Sequence, residues 1–361
     1  MITNSIRWKV PGFYFEDQAL LHFLQMCEYS GLPSFAEVYG SIPCKWDGGR
    51  TAHHLAPSDP PPNFAQYRNR GVQVYLTFNS NQLTEADLDD EVGNRLLQEG
   101  DGAIIASPLL NDYIRDKYPR VSRTASTILS IIARKDRTIE HYQRLCDEYD
   151  KVVVGTTHLF NTDKERSLDL KFIDQLDRDK IEIMVNDNCV FDCAFRARHH
   201  QLVGRHNKLR TNESMREVVQ FFRSFCKAHL AVRGMAPDLI LTNPMVATLQ
   251  EMGFKRFKLV GRDMPVAYIL TEMLRYIIPE RLQSHFNMGL AHVIHSAVIN
   301  SFVPVLGGHI NRALAMFSQP PAPESQRQVI SSFTPLLQTQ INQALAIARR
   351  TPPIPSKDTQ E

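Results

Sequence analysis

The stretch VNDNCVFDCAFRARHH, residues 185–200, sets Cys189 and Cys193 close together and follows them with Arg196, Arg198, His199 and His200. Two thiolates at this spacing in one loop can meet a single metal centre, and soft sulfur donors select zinc, copper(I) or an iron–sulfur cluster. Further along, Cys226 and His229 in FCKAH offer two more donors. The competing reading is ordinary packing. Cys226 lies among Val218, Val219, Phe222 and Phe225 at helical spacing, and cysteine is often a small buried apolar residue. Cys27 and Cys146 are expected in helical core positions. Six cysteines in 361 residues do not make a disulfide framework, so a close pair points to metal or redox chemistry in a reducing compartment.

Such a loop needs a frame. Apolar or β-branched runs recur at 34–40, 71–78, 101–107, 120–127, 151–157, 180–186, 237–243 and 255–261, and most segments between them carry apolar residues at spacings of three and four. Strand alternating with helix implies a parallel sheet, and eight such units imply an α/β fold of the (β/α)8 barrel class. The rival, an open doubly wound sheet, lacks its glycine-rich phosphate turn. The expected organisation is a barrel over 1–283, a helical extension over 284–350 and a polar tail over 351–361.

In such barrels the chemistry gathers at the C-terminal ends of the strands. The residues there are polar: Glu37 and Tyr39, Asn79, Ser107, Ser126 and Thr127, His158 and Asn161, Asn186 and Asp187, Asn243, and Arg262. Each alone is equally at home as a capping or turn residue. Together they suggest that Asn79, Asn161 and Asn186 orient a substrate, that Glu37 is a catalytic carboxylate, and that Tyr39, His158 and Arg196 are substrate contacts. Arg262 suits a carboxylate clamp, because guanidinium binds that group bidentately; its plainer alternative is an ion pair with Glu37. Cys44, near His53 and His54, is the one local nucleophile–base pairing, and neither a G-x-S-x-G elbow nor an H-E-x-x-H helix occurs.

Composition narrows the partners. With 43% hydrophobic and 22% charged residues the chain reads as globular, and 41 basic against 39 acidic side chains give no general affinity for nucleic acid. The first residues lack the apolar core of a signal peptide and no run reaches the length of a membrane span, so a cytoplasmic location is expected. Apolar helical material beyond residue 285 suits an oligomer contact with a like or unlike chain.

The order of EVYGSIP with a following GGR, ASPLLNDYIRDKYP, ASTI, VNDNCVFDCAFRARHH and MGFKRFKLVGRDMP resembles the peptidase U-32 family of collagenase-like barrel proteins, over about residues 35–280. The resemblance implies either proteolysis, as the family name has it, or oxygen-independent hydroxylation of an RNA base or a small aromatic ring through a four-cysteine iron–sulfur cluster. Cys189 and Cys193 match the family's first cysteine pair, Cys226 the first of its second pair, and Arg262 the arginine of the terminal strand motif. The fourth cysteine is missing; His229 or Cys44 would have to stand in. The expected cofactor is therefore an iron–sulfur cluster, with zinc as the alternative, and the substrate a small molecule or RNA. A non-catalytic barrel subunit of a larger complex is the third reading.

Overall fold

The computed structural model describes residues 6–14, 17–48, 64–131, 137–161, 167–187, 193–226, 239–261 and 266–278. The expected extension and tail beyond residue 283 lie outside these residues, as do Cys189, His229 and Arg262. Among the described residues no helix is long and apolar enough to cross a membrane.

Among the described residues ten strands follow in chain order: β1 Arg7–Pro11, β2 Glu37–Gly40, β3 Gln73–Phe78, β4 Gly102–Ile105, β5 Ser122–Ala125, β6 Lys151–Val154, β7 Ile181–Met184, β8 Asn186–Asp187, β9 Leu239–Ile240 and β10 Arg256–Lys258. Eight close into an all-parallel barrel in the order β1, β2, β3, β4, β5, β6, β7, β10. This is the (β/α)8 architecture. Seven of the expected runs supply barrel strands, but 237–243 does not: β9 within it pairs antiparallel with β8, outside the barrel. The missing first strand is β1, whose sequence RWKVP puts charged residues where a buried strand is expected to be uniformly apolar.

Both faces of these strands are covered. Outward residues such as Val10, Val38, Val74, Val152, Val154 and Ile183 are wholly buried against the surrounding helices, each worth about 1.5–3 kcal/mol of transfer free energy. Local chemistry fixes the helix starts: Asp90 accepts from the Gly93 amide at 2.7 Å ahead of Glu91–Glu99, and Thr138 from that of His141 at 3.1 Å ahead of Ile139–Glu148.

The longest connection runs from β7 to β10. It contains the β8–β9 pair, a helix at Arg196–Leu209, a second at Asn212–Phe221 that continues as one π-turn over Phe222–Cys226, and a third at Asn243–Glu251. Arg210, at φ 52°, closes the first helix in the left-handed conformation, and Thr211 caps the second. The two form a hairpin.

Candidate active site at the C-terminal mouth

Strand register decides which side chains fill the lumen. Partners across a parallel pair point the same way and alternate along the strand, so Lys9, Glu37, Tyr39, Tyr75, Thr124, Lys151, Val153, Glu182, Met184 and Lys258 share the inner face.

Glu37, expected at the mouth, begins its strand and therefore belongs to the opposite, N-terminal half. There it meets Lys9 at 3.0 Å, Lys151 at 3.0 Å and Arg7 at 3.3 Å, while Lys9 also reaches Glu182 at 2.6 Å. Lys258 completes the layer, 3.9 Å from Glu182 and over the Tyr39 ring, and Lys151 donates to the Tyr75 hydroxyl at 2.5 Å. Burial alone would raise the Glu37 pKa, but the Lys9 and Lys151 ammonium groups outweigh it and hold the carboxyl well below its usual range. Lys9 responds in the opposite sense: burial lowers it, Glu182 and Glu37 overcome that, and it ends above an ordinary lysine. One level nearer the mouth, Val153, Met184 and Val260 pack together, as do Tyr39, Tyr75 and Ile104. The tyrosines lie directly against the ionic layer, Lys9 and Lys151 over the Tyr75 ring and Lys258 over that of Tyr39.

The mouth itself is differently built. Ser41, Thr77 and Asn79 follow Tyr39 and Tyr75 at the inward alternation of β2 and β3. Ser41 Oγ, Thr77 Oγ1 and Asn79 Oδ1 are buried without a hydrogen-bond partner among the described residues, as are the Thr156 and Thr157 hydroxyls just past β6. The loop after β2 lies directly on the turn after β3, because Gly48 has no side chain: a Cβ there would stand 2.2 Å from the Asn79 carbonyl oxygen.

Across this end runs the helix Arg196–Leu209. Its first residue pairs with Asp187 at 2.8 Å beyond β7; near its other end Asn207 donates to Asp47 at 3.4 Å and Lys208 meets Asp87 at 2.5 Å, on the loops beyond β2 and β3. These anchors stand on opposite sides of the barrel, and the position of Gly204 faces Ser80 and Asn81. The helix carries Arg196, Arg198, Arg205 and Lys208 and no carboxylate.

The expected site residues divide. Asn79 lines the mouth. Tyr39 lies in the lumen, its hydroxyl donating to the Leu259 carbonyl at 2.8 Å. His158 is buried with Nδ1 2.7 Å from the Tyr142 hydroxyl, and Arg196 is engaged by Asp187. Asn186 is occupied by the frame: its amide donates to the Val260 carbonyl and Glu272 at 3.2 and 3.1 Å and accepts from the Val260 amide at 2.7 Å. Asn161 is exposed and bonds Ser167. Ser107 and Ser126 accept backbone amides as turn residues do. Sequence reasoning passed over Ser41, Thr77 and the lumen lysines; counting two residues along the strand from Tyr39 and Tyr75 would have found the first two.

Among the cysteines, Cys27 and Cys146 are buried on their helices, and burial pushes their thiols up to about 12 and about 11. Cys44 is buried too; burial, then Asp47 and Asp90, raise its thiol well above the usual range, the opposite of what an activated nucleophile requires. Cys193 is half-buried. Two residues on, the Phe195 ring packs against Phe221 at 6.3 Å and Phe225 at 5.2 Å, so the hairpin brings the segment bearing Cys193 to the segment bearing Cys226. Among the described residues no group of three or more His, Cys, Asp or Glu is placed to hold a metal ion.

No family model matches the chain, and no curated protein does. A solved structure of the U32 peptidase Mk0906 is similar over 71% of this chain and 93% of that one, with 13% sequence identity and a TM-score of 0.42. The likeness is distant, and the barrel assignment rests on this chain's own strand order.

Proposed function

We propose that the chain is an oxidoreductase that holds an iron–sulfur cluster beside the C-terminal mouth of its barrel and acts there on an RNA base or a small aromatic molecule, with oxygen-independent hydroxylation as the reaction class. The observation that carries this reading is the hairpin, which draws the Cys193 and Cys226 segments together next to the mouth through Phe195 and Phe225. Cys189, Cys193 and Cys226, with His229, would hold the group; such donors suit zinc, the alternative, as well as iron–sulfur, and the resemblance to the U-32 family chooses the cluster. When bound, a cluster supplies electron transfer or Lewis acidity to substrate. The chain's own residues would do the rest: the helix Arg196–Leu209 excludes water from the mouth, Asn79 contacts substrate, and Arg262 clamps an anionic group.

Peptidase chemistry has less support, since Cys44 is buried and its thiol is pushed up rather than activated. A non-catalytic subunit is favoured by one feature, the exposed Val219, Phe222 and Phe225 on the second helix of the hairpin and its π-turn.

Anaerobic purification tests the proposal. The expected result is a brown protein with iron, acid-labile sulfide and broad charge-transfer absorption, lost in Cys189→Ser and kept in Cys27→Ser. An iron-free, colourless protein from cluster-competent cells overturns it. Arg262→Ala should weaken binding of a carboxylate ligand by about 1.5–3 kcal/mol, the worth of a hydrogen bond to a charged group.

A further inference from the structure

We infer that the β2–β3 wall of the mouth is a subsite for an uncharged group that presents a hydrogen-bond donor beside an acceptor, as a primary carboxamide does. Three side chains carry the inference. Ser41, Thr77 and Asn79 are 2%, 2% and 8% exposed, and Ser41 Oγ, Thr77 Oγ1 and Asn79 Oδ1 have no hydrogen-bond partner among the described residues. Buried polar atoms in folded proteins are nearly always satisfied, by protein, water or ligand, so three orphans on one wall mark a place where something polar belongs.

Register puts them together. Tyr39 pairs with Tyr75 across β2 and β3, Ser41 and Thr77 each stand two residues further on, and Asn79 stands two beyond Thr77. Neighbouring strands are about 4.8 Å apart, so one small planar group can touch both. Below them Tyr39, Tyr75 and Ile104 form an apolar cluster, a floor on which a flat ring can rest.

Charge chooses between a neutral and an ionic occupant. The wall offers two hydroxyls, each both donor and acceptor, and one amide oxygen. Two formal charges that the covering helix brings to this end are matched, Arg196 by Asp187 and Lys208 by Asp87. An ion on the wall would lose its hydration, and among the described residues the cations against the floor rings, Lys9, Lys151 and Lys258, already face Glu37 and Glu182, whereas a carboxamide loses little. The inference rests on reading the C-terminal mouth as the binding end. It does not depend on the metal centre.

The experiment therefore uses the full chain both as isolated and as Cys189→Ser, so that failure of the cluster leaves this test intact. Ligand-observed saturation-transfer NMR with benzamide and its anionic isostere benzoate reads the selectivity, on chains that also carry Arg262→Ala so that the proposed anion clamp does not hold benzoate. Benzamide should bind and benzoate should bind at least about tenfold more weakly. Thr77→Val and Asn79→Leu should each weaken benzamide about three- to tenfold, the loss of one hydrogen bond. Thr77→Val should also raise the melting temperature of the ligand-free protein by about 2–4 °C, because it removes an orphaned hydroxyl without changing shape. Absence of benzamide binding, equal binding of benzoate, or a Thr77→Val protein that melts lower with benzamide affinity unchanged would each overturn the inference, the last by showing a hydroxyl that serves packing or water alone.

Discussion

The two halves of the lumen are made by the same alternating strands and treat polarity in opposite ways. In the N-terminal half, Lys9, Lys151, Glu37 and Glu182 are withdrawn from water, and every one has an opposite charge within 3.0 Å. At the C-terminal mouth, a few residues further along β2 and β3, polar atoms are buried and left without partners among the described residues. Burying a charge is costly unless geometry repays it, so the lower layer is a place where the fold has settled its electrostatics internally. Lys9 Nζ, Glu37 Oε2 and Glu182 Oε1 also lack a well-aligned hydrogen bond but each sits in an ion pair, whereas Ser41 Oγ, Thr77 Oγ1 and Asn79 Oδ1 on the upper wall have neither among the described residues. That contrast matches the division of labour in barrels of this class, with stability below and chemistry above.

The sharpest way to break the comparison is to remove one charge from the lower layer. Lys9→Met deprives Glu182 of its 2.6 Å partner and should destabilise the protein by about 3–5 kcal/mol, the cost of an uncompensated buried charge. Urea unfolding midpoints measure it; a loss under about 1 kcal/mol would mean that the layer is not tightly coupled.

Acid probes the same layer more gently. The folded carboxyl of Glu37 lies well below its ordinary value of 4.5, so its stabilising contribution is fully present above that value and fades as pH falls below it. Melting temperatures should drop between about pH 4.5 and 3, with a slope of at most about 1.4 kcal/mol per unit from this group, and Glu37→Gln should flatten the drop. Lys9 works at the other extreme. Its value is raised above 10.5, so its contribution is complete below that pH and is lost only as pH climbs through the raised value.

A smaller effect is expected where the covering helix is tied down. Lys208 and Asp87 form a pair at 2.5 Å that is partly open to solvent on the lysine side, so Lys208→Ala should cost about 1 kcal/mol or less globally. Amide exchange within Arg196–Leu209 should nevertheless quicken, since local opening needs only the anchors to release. The smallest change is at the mouth. Ser41→Ala removes an orphaned hydroxyl and should be neutral or slightly stabilising, a sign opposite to that of any substitution in the ionic layer.

The sequence by itself determined the barrel. Seven of its runs became barrel strands because apolar residues at alternate positions, here Val38, Val74, Val152 and Ile183, must be covered by helices wherever the sheet closes. It also marked Asn79 for the mouth and the core positions of Cys27 and Cys146. What it could not reveal is which alternate face turns inward. In RWKVP, EVYG, KVVV and RFK the charged residues look like a solvated face, and only closure of the cylinder makes that face the lumen, where Lys9, Glu37, Lys151 and Lys258 find each other from strands far apart in the chain. For the same reason β1 was passed over, 237–243 took its place in the strand count, and Glu37 was assigned to the wrong end. The covering helix was equally invisible: its anchors on Asp47, Asp87 and Asp187 join segments up to 160 residues apart, a proximity that local patterning does not encode and that the folded barrel alone creates.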